Sequence, residues 1–143
     1  MGFYITGTRR GLGKVLAWKF GNTGSMRHCD VFINCKHNDF DQVDMLYQAH
    51  EAGVKRIINI GSNSPDETKR DPHIYAVQKA ALDAANDQLF YQGVNTTNIR
   101  FGWFDSERVA HVDAKKLDMD YCAEVVQWVV DQPHRIKDIT VCI

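Results

Sequence analysis

The chain has 143 residues, of which 44% are hydrophobic and 24% are charged. This is the composition of an ordinary globular protein, and the length suits one domain over 1–143 with a single core. Lys and Arg number 17 against 18 for Asp and Glu, and the formal net charge of −1 argues against a nucleic-acid or anionic-membrane partner. The irregularly spaced cysteines do not form a disulfide framework. Because the first residues are typical of a core strand rather than a secretory leader, we expect a cytoplasmic protein.

Short apolar runs alternate with longer amphipathic segments along the chain. The apolar runs predict strands at 3–6, 31–34, 56–60, 97–101 and 138–142. The amphipathic segments predict helices at 11–21, 39–52, 73–92 and 119–131, and the polar residues 61–72 predict a loop. Strands that lack period-two alternation and are separated by helices are typical of a parallel sheet buried on both faces. We predict a three-layer α/β domain with a mainly parallel sheet of about five strands.

A glycine-rich loop follows the first predicted strand and leads into the first predicted helix. It contains Gly7, Gly11 and Gly13, with Arg9 and Arg10 between them. Such a loop turns tightly and lets a pyrophosphate approach the unpaired N–H groups of the helix N-terminus. The arginines add cationic contacts to phosphate. The position between strand and helix favours dinucleotide binding over a tight turn without a ligand.

A serine, a tyrosine and a lysine form a second candidate group. Tyr75 and Lys79 are spaced i, i+4 on the third predicted helix and therefore share one face. An ammonium near a phenol favours the tyrosinate and lowers the pKa of the tyrosine. Ser62 follows the third predicted strand, at the sheet edge where ligands bind. Its hydroxyl can hold a substrate oxygen while Tyr75 transfers a proton, although Tyr–Lys pairs are also common on helix surfaces.

These features and one further motif occur in a single order along the chain. The order is TGxxxGxG at 6–13, IINIGS at 57–62, YxxxK at 75–79 and IRFG at 99–102. It resembles the short-chain dehydrogenase/reductase family, with its glycine loop, catalytic serine, YxxxK pair and IRPG segment. The resemblance covers about 1–106, and the last predicted helix and strand fit the end of the family's fold.

The resemblance implies a Rossmann-like fold and an NAD(P)-dependent oxidoreductase that transfers a hydride between nicotinamide and a small carbonyl or alcohol substrate. It implies that Tyr75 is the general acid/base, that Ser62 polarises the substrate carbonyl, and that Lys79 lowers the tyrosine pKa and binds the nicotinamide ribose. In the family, a basic residue at the place of Arg10 goes with a preference for NADP(H), with NAD(H) possible. The cofactor-binding residues implied are Gly7, Arg9, Arg10, Gly11, Leu12, Gly13, Asn34, Tyr75, Lys79, Gly102, Phe104 and Ser106.

The chain also departs from the family's pattern. Only residues 12–30 separate the glycine loop from the next predicted strand. In the family, two more strands lie in this interval. They supply the adenine pocket and the residue that contacts the ribose 2′-position. The family's NNAG motif is reduced to Asn34. Its catalytic asparagine lies within the following helix, and Asn38, at the start of that helix, is the asparagine placed to substitute for it. Phe101 replaces the IRPG proline, and the substrate-covering segment is short.

The shortened sheet raises a question of handedness. Crossovers between parallel strands are right-handed in ~98% of cases, so strands that all step in one direction would have every helix on one face. A covered sheet needs a reversed order such as 2-1-3-4-5, one unusual crossover, or a partner chain on the bare face. Each solution leaves an apolar face or edge, from which we predict a homo-oligomer, either a dimer or a tetramer.

Other classes of function remain open. The lost adenine half and the short substrate lobe fit a non-catalytic dinucleotide-binding or regulatory module. A weaker alternative is a structural oligomerisation domain that binds no dinucleotide. His28, Cys29, Cys35 and His37 flank the second predicted strand, but their spacing fits no common zinc pattern, so we predict no metal site.

Overall fold

The computed structural model describes residues 1–67, 71–105, 109–111 and 113–143. The strands are β1 (Phe3–Ile5), β2 (Val31–Asn34), β3 (Arg56–Ser62), β4 (Thr96–Phe101) and β5 (Asp138–Val141). The helices are α1 (Gly11–Phe20), α2 (Asp41–Glu51), α3 (Ile74–Tyr91) and α4 (Met119–Val130), with short 3₁₀ turns at Met26–His28 and Ser64–Asp66. In these ranges, none of the helices has the length and apolar character needed to cross a bilayer.

The alternation of strands and helices is the one that the sequence predicts. β3 differs, because it continues to Ser62 instead of ending at Ile60. Its parallel pairing with β4 extends to Gly61 opposite Arg100 and Ser62 opposite Phe101. The hydrogen-bonded ladder therefore holds Ser62 at the carboxyl end of the sheet, rather than in the loop that the turn-rich composition predicted.

All the strands are parallel and follow the order β1-β2-β3-β4-β5. Helices α1 and α4 cover one face, where Leu16 and Val126 belong to one buried cluster with Ile33. Helices α2 and α3 cover the other face, where Leu46 and Leu82 are buried in one cluster with Phe32 and Ile57. The three-layer α/β architecture is thus confirmed.

The strand order answers the question of handedness. Each crossover steps in the same direction across the sheet, so two helices on each face require two crossovers of each hand. There is no reversal to 2-1-3-4-5, and the rarer left hand occurs twice rather than once. The apolar stripe of α1 explains part of this arrangement, because Leu12 and Leu16 belong to the same buried cluster as the α4 side chains. Both faces are therefore covered within one chain.

β1 is an outer strand of the sheet, and the segment after α1 caps its free edge. The side-chain amide of Asn22 accepts from the Ile5 N–H and donates to the Ile5 carbonyl, each at 3.2 Å. The Thr23 N–H donates to the Phe3 carbonyl at 2.7 Å. An asparagine amide thus pairs with β1 as the peptide group of a neighbouring strand would.

Candidate functional site

A cleft of about 1620 Å³ lies at the carboxyl ends of the strands. Its walls come from the segments that follow successive strands, namely 7–13, 35–37, 61–64 and 101–104, together with Cys142 and Ile143. In a parallel sheet this edge is the usual ligand site. The fold therefore brings the glycine loop and the end of β3 to one cavity.

The glycine loop is shaped by close backbone contacts. Gly7 (φ +71°) and Gly11 (φ +63°) adopt left-handed backbone conformations that favour glycine. A Cβ on Gly13 would lie 2.0 Å from the carbonyl oxygen of Gly7, so only glycine lets α1 begin this close to the end of β1. The Thr6 hydroxyl accepts from the N–H groups of Cys35 and Lys36 at 3.0 and 3.1 Å, which fixes the loop against the end of β2.

The positive charges beside the glycine loop favour the binding of an anion. Arg9 and Arg10 are exposed and line the cleft, as Lys36 does. Arg10 is the N-cap of α1 and gives that helix no side-chain hydrogen bond, so the first-turn N–H groups are donors for a ligand. Leu12 also lines the cleft, although its side chain is buried in the core beneath α1.

Ser62 and Tyr75 face the same cleft. Ser62 lies at the end of β3, and its buried Oγ accepts from the Ser64 N–H at 3.0 Å. Tyr75 is half-buried in the first turn of α3. Asp66, in the turn that follows Ser62, accepts from both terminal nitrogens of Arg100 at 2.5 and 2.8 Å, and these hydrogen bonds lower the pKa of that carboxyl. The ion pair ties the turn that follows Ser62 to β4.

Lys79 lies behind the tyrosine and is only 3% exposed. Its Nζ is 5.6 Å from the centroid of the Tyr75 ring. The ammonium donates to the Oε1 of Gln42 at 2.7 Å and to the Ile60 carbonyl at 3.1 Å. The i, i+4 spacing therefore produces the proximity of phenol and ammonium expected from the sequence, with the lysine beneath the surface of the cleft.

The two asparagines named from the sequence lie in different environments. Asn34 ends β2 and is 1% exposed; its Nδ2 donates to the Gln42 carbonyl at 2.8 Å and to the Asn59 Oδ1 at 2.9 Å. Asn38 is exposed before α2, and its Nδ2 donates to Asp41 at 2.9 Å. Gln42, within α2, is the amide that contacts Lys79, and the sequence motifs did not single it out. The signal that the sequence does offer is the helical spacing of Gln42 with Leu46 and Ala49, which places this polar residue on the buried face of α2.

Two histidines surround the tyrosine ring and were not predicted to belong to the site. His37, after β2, has its ring centroid 4.8 Å from that of Tyr75. His73, just before α3, lies at 6.1 Å, and its Nδ1 accepts from the Ala76 N–H. Cys35 also lines the cleft; burial raises the pKa of its thiol to about 11, and the nearby Lys79 ammonium partly offsets this effect.

The segment after β4 forms the opposite wall. Gly102 donates its N–H to the Val141 carbonyl at 2.8 Å, and a Cβ there would lie 3.1 Å from the Cβ of Cys142. Phe104 lines the cleft and forms a parallel bridge with Leu117. Ser106, which the resemblance implied as a cofactor contact, lies outside the described residues.

Comparison with family models gives no match, and a search of curated protein sequences gives none either. Solved structures do match. An apo SCOR enzyme from Clostridium thermocellum superimposes with a TM-score of 0.73 at 18% identity, covering 99% of this chain and 90% of that one. A short-chain dehydrogenase from Sphingobium yanoikuyae in complex with NADPH gives 0.74 at 14% identity, covering 99% and 87%. A 4-hydroxyisoleucine dehydrogenase complexed with NADH and succinate gives 0.74 at 13% identity, covering 99% and 97%.

These similarities extend over nearly the whole chain, while the identities are low. They concern the backbone, and the resemblance noted from the sequence motifs was to the same group of proteins. The chain therefore has the fold of the short-chain dehydrogenase/reductases.

Proposed function

We propose that this chain is an NAD(P)-dependent oxidoreductase of the short-chain type, acting on a small carbonyl or alcohol. The observation that carries the proposal is the position of Ser62 and Tyr75 on one cleft with the glycine loop, while the Lys79 ammonium lies 5.6 Å from the tyrosine ring. A structural role for each residue taken singly would not explain why Ser62, Tyr75 and the glycine loop meet at one edge of the sheet.

The cleft fits a nicotinamide dinucleotide. The lack of a side chain at Gly13 lets α1 begin against the Gly7 carbonyl at the end of β1, and Arg9 and Arg10 offer charge to phosphate. Arg10 favours NADP(H), while NAD(H) stays possible; solved structures of similar fold hold NADPH or NADH. In this proposal the loop residues bind the pyrophosphate side, and Asn34, Lys79, Gly102, Phe104 and Ser106 belong to the nicotinamide side.

The protein's own residues would manage the proton. A nicotinamide cofactor, when bound, would supply or accept the hydride. Because the Oγ of Ser62 already accepts from the Ser64 N–H, its hydroxyl proton is available to a substrate oxygen. Tyr75 gives its phenolic proton to that oxygen during reduction and takes it back during oxidation, and the positive charge of Lys79 favours the tyrosinate between these steps. Asn38 stays a predicted member of this group.

Replacing Tyr75 with phenylalanine tests the catalytic role. We expect Tyr75→Phe to lower turnover of NADPH with a carbonyl panel by at least about 100-fold, since acid–base catalysis contributes roughly 10²–10⁴. Affinity for the cofactor should stay within a few-fold of the wild-type value. The matched control is Tyr121→Phe, at a half-exposed tyrosine on α4, which should change neither. Equal turnover by Tyr75→Phe and the wild-type chain would overturn the proposal.

The capped edge of β1 favours a second candidate, a non-catalytic dinucleotide-binding or regulatory module. Asn22 and Thr23 occupy the edge at which the family's adenine-side strands would pair, so part of the usual cofactor wall is missing. This candidate predicts saturable NADPH binding with no turnover on any carbonyl or alcohol. The same panel therefore distinguishes the two candidates.

The homo-oligomer also stays a proposal. Both sheet faces are covered, so its support now comes from exposed aromatic side chains on the helices of one face. Trp18 on α1 is 93% exposed, and Trp128 on α4 is 51% exposed. Sedimentation of the purified protein distinguishes a dimer or tetramer from a monomer.

Cytoplasmic location stays a prediction from the sequence.

A further inference from the structure

The charge of the cleft differs from that of the whole chain. Asp and Glu number 18 in the sequence against 17 for Lys and Arg. Among the described residues that line the cleft, one acidic side chain, Glu67, meets four cationic ones, namely Arg9, Arg10, Lys36 and Lys115. Three of these cations lie beside the glycine loop, where the proposed cofactor would bring its phosphates. Lys115 lies on the opposite wall, so its charge is available to another anion.

Backbone pairing holds the segment of Lys115 at the cleft. Two residues later, the Leu117 N–H donates to the Trp103 carbonyl at 2.7 Å, and the Asp105 N–H donates to the Leu117 carbonyl at 2.8 Å. These bonds join the backbone next to Lys115 to the wall that carries Trp103. The following residue, Lys116, does not line the cleft. The fold therefore brings one ammonium of this adjacent pair to the cavity.

His73 supplies a hydrogen-bond donor beside Tyr75. Its ring centroid lies 6.1 Å from that of Tyr75, and its Nδ1 accepts from the Ala76 N–H at 3.3 Å. A ring nitrogen that accepts a hydrogen bond carries no proton, so this contact assigns the ring proton to Nε2. His73 is exposed and lines the cleft. A ligand can therefore accept from its Nε2–H while its Nδ1 caps α3.

Ser64 carries a hydroxyl for which the described chain provides no partner. The residue lines the cleft two positions after Ser62 and is 8% exposed. Its N–H donates to the Ser62 Oγ at 3.0 Å, whereas its own Oγ has no hydrogen-bond partner in the part of the chain that the structure describes. Most buried polar side-chain atoms have one. A ligand that accepts from this hydroxyl would supply the missing hydrogen bond.

We propose that the substrate of this cleft is a small oxo acid or hydroxy acid, whose carboxylate binds among Ser64, His73 and Lys115. A carboxylate is an acceptor for all three donors, and hydrogen bonds to an ionised group are the stronger ones. The arginines of the cleft, which favour phosphate, belong to the glycine loop. Trp103 and Val109 add an apolar wall for a short carbon chain. The inference rests on the proposed function, because it names the substrate class of the same site.

The carboxylate orients the substrate and takes no part in the reaction. During reduction, the carbonyl carbon receives a hydride from NADPH, and the carbonyl oxygen receives the phenolic proton of Tyr75. The products are the hydroxy acid and NADP⁺, and a proton from solvent restores the phenol. Oxidation of the hydroxy acid reverses both transfers. Because the carboxylate is not the reacting group, loss of its contacts should raise KM more than it lowers kcat.

The first test compares acids with their methyl esters, with NADPH as the reductant. The pairs are pyruvate with methyl pyruvate and acetoacetate with methyl acetoacetate. We expect kcat/KM for one of the acids to exceed that for its ester by at least about 10-fold, since hydrogen bonds to charged groups contribute more than those between neutral groups. Turnover of both esters as efficiently as of the acids would overturn this proposal and leave the proposed function standing.

Three substitutions remove the donors one at a time: Ser64→Ala, His73→Asn and Lys115→Met. Ser64→Ala keeps the N–H that bonds to Ser62, and His73→Asn keeps a side chain that can cap α3. Each should lower the acid-over-ester ratio of kcat/KM by about 3–10-fold. Lys116→Met is the matched control, because it removes the same charge outside the cleft, and it should keep the wild-type ratio. Wild-type ratios in all three donor variants would overturn the proposal.

Oxamate binding tests the site without turnover. Oxamate has a carboxylate next to a carbonyl, and ethyl oxamate is its neutral counterpart. Calorimetric titration of the full chain, with and without NADPH, should show saturable binding of oxamate that is tighter than that of ethyl oxamate. Lys115→Met should weaken this binding, and Lys116→Met should not.

The outcomes of this titration separate the two proposals. If oxamate binds as expected but no carbonyl is turned over, the proposed function fails while the carboxylate site stands. If the folded chain does not bind oxamate in either state, the carboxylate site is overturned. An affinity for oxamate that falls in Arg10→Gln instead of Lys115→Met would place the anion at the glycine loop and would also overturn it.

Discussion

Single residues show how closely the glycine loop is built into the fold. The Cβ that alanine would add at Gly13 falls 2.0 Å from one backbone atom of Gly7 and 2.7 Å from another. Neither is the movable end of a side chain, so the contact can be relieved only by separating α1 from β1. The glycine is therefore required by packing even before a ligand is considered.

We predict that Gly13→Ala destabilises the protein, although alanine is intrinsically favoured over glycine in a helix by about 1 kcal/mol. Overpacking costs about 1–3 kcal/mol, and displacement of the loop should also weaken NADPH binding. Chemical denaturation and a cofactor titration measure the two effects. Lys14→Ala, at the exposed neighbouring position, is the control and should leave both unchanged. A Gly13→Ala protein as stable as wild type would contradict the close approach.

Ser62, Tyr75 and Lys79 illustrate what residue patterns can foresee. The i, i+4 spacing on a helix was enough to predict the phenol and ammonium as neighbours, and the end of a parallel strand was enough to predict the cleft for Ser62. Gln42 could not be recognised in this way. Its contact with Lys79 depends on α2 packing next to α3, and no local pattern encodes which buried polar side chain meets the lysine.

At the scale of elements, the outer edge of β1 is the most informative. The outer edge of a parallel sheet exposes unpaired backbone N–H and C=O groups, which can pair with other chains. Here Asn22 supplies one donor and one acceptor to Ile5. A side chain in the connection thus supplies part of the pairing that a neighbouring strand would give.

We predict that Asn22→Ala lowers the free energy of unfolding by about 1 kcal/mol, because a typical hydrogen bond contributes about 0.5–1.5 kcal/mol and this residue is exposed. The uncovered edge should also increase self-association, measured by light scattering against concentration. Thr23→Ala retains the N–H that bonds to Phe3 and loses only the hydroxyl's hydrogen bonds to Ser25 in the same turn, so its self-association should equal that of the wild type. If Asn22→Ala and Thr23→Ala were indistinguishable in both measurements, the edge would not depend on this cap.

The elements themselves were predictable because each has a clear hydrophobic period and ends in turn residues. Their boundaries were less so. The end of β3 depended on pairing with β4, which continues to Ser62 opposite Phe101, and such a pairing is a long-range property. The handedness of the crossovers was also open from sequence, since it follows from which face of the sheet each helix covers.

At the scale of the whole molecule, the shortened sheet is covered by two crossovers of each hand. The helices pack in pairs: α1 packs with α4 on one face, and α2 packs with α3 on the other. Because of this arrangement, the loops that follow β1 to β4 converge on the cleft at one edge. The described residues therefore form an edge that can carry a site, with β1 as the outer strand of the sheet.

The most direct test of this account is a calorimetric titration of the purified chain with NADPH and, separately, with NADH. We expect saturable binding of both, with NADPH bound more tightly, and loss of that preference in Arg10→Gln. This variant removes a charge from an exposed loop position and should leave the stability unchanged. If the folded protein bound neither cofactor at millimolar concentration, the cleft would not be a dinucleotide site, and the central claim would be contradicted.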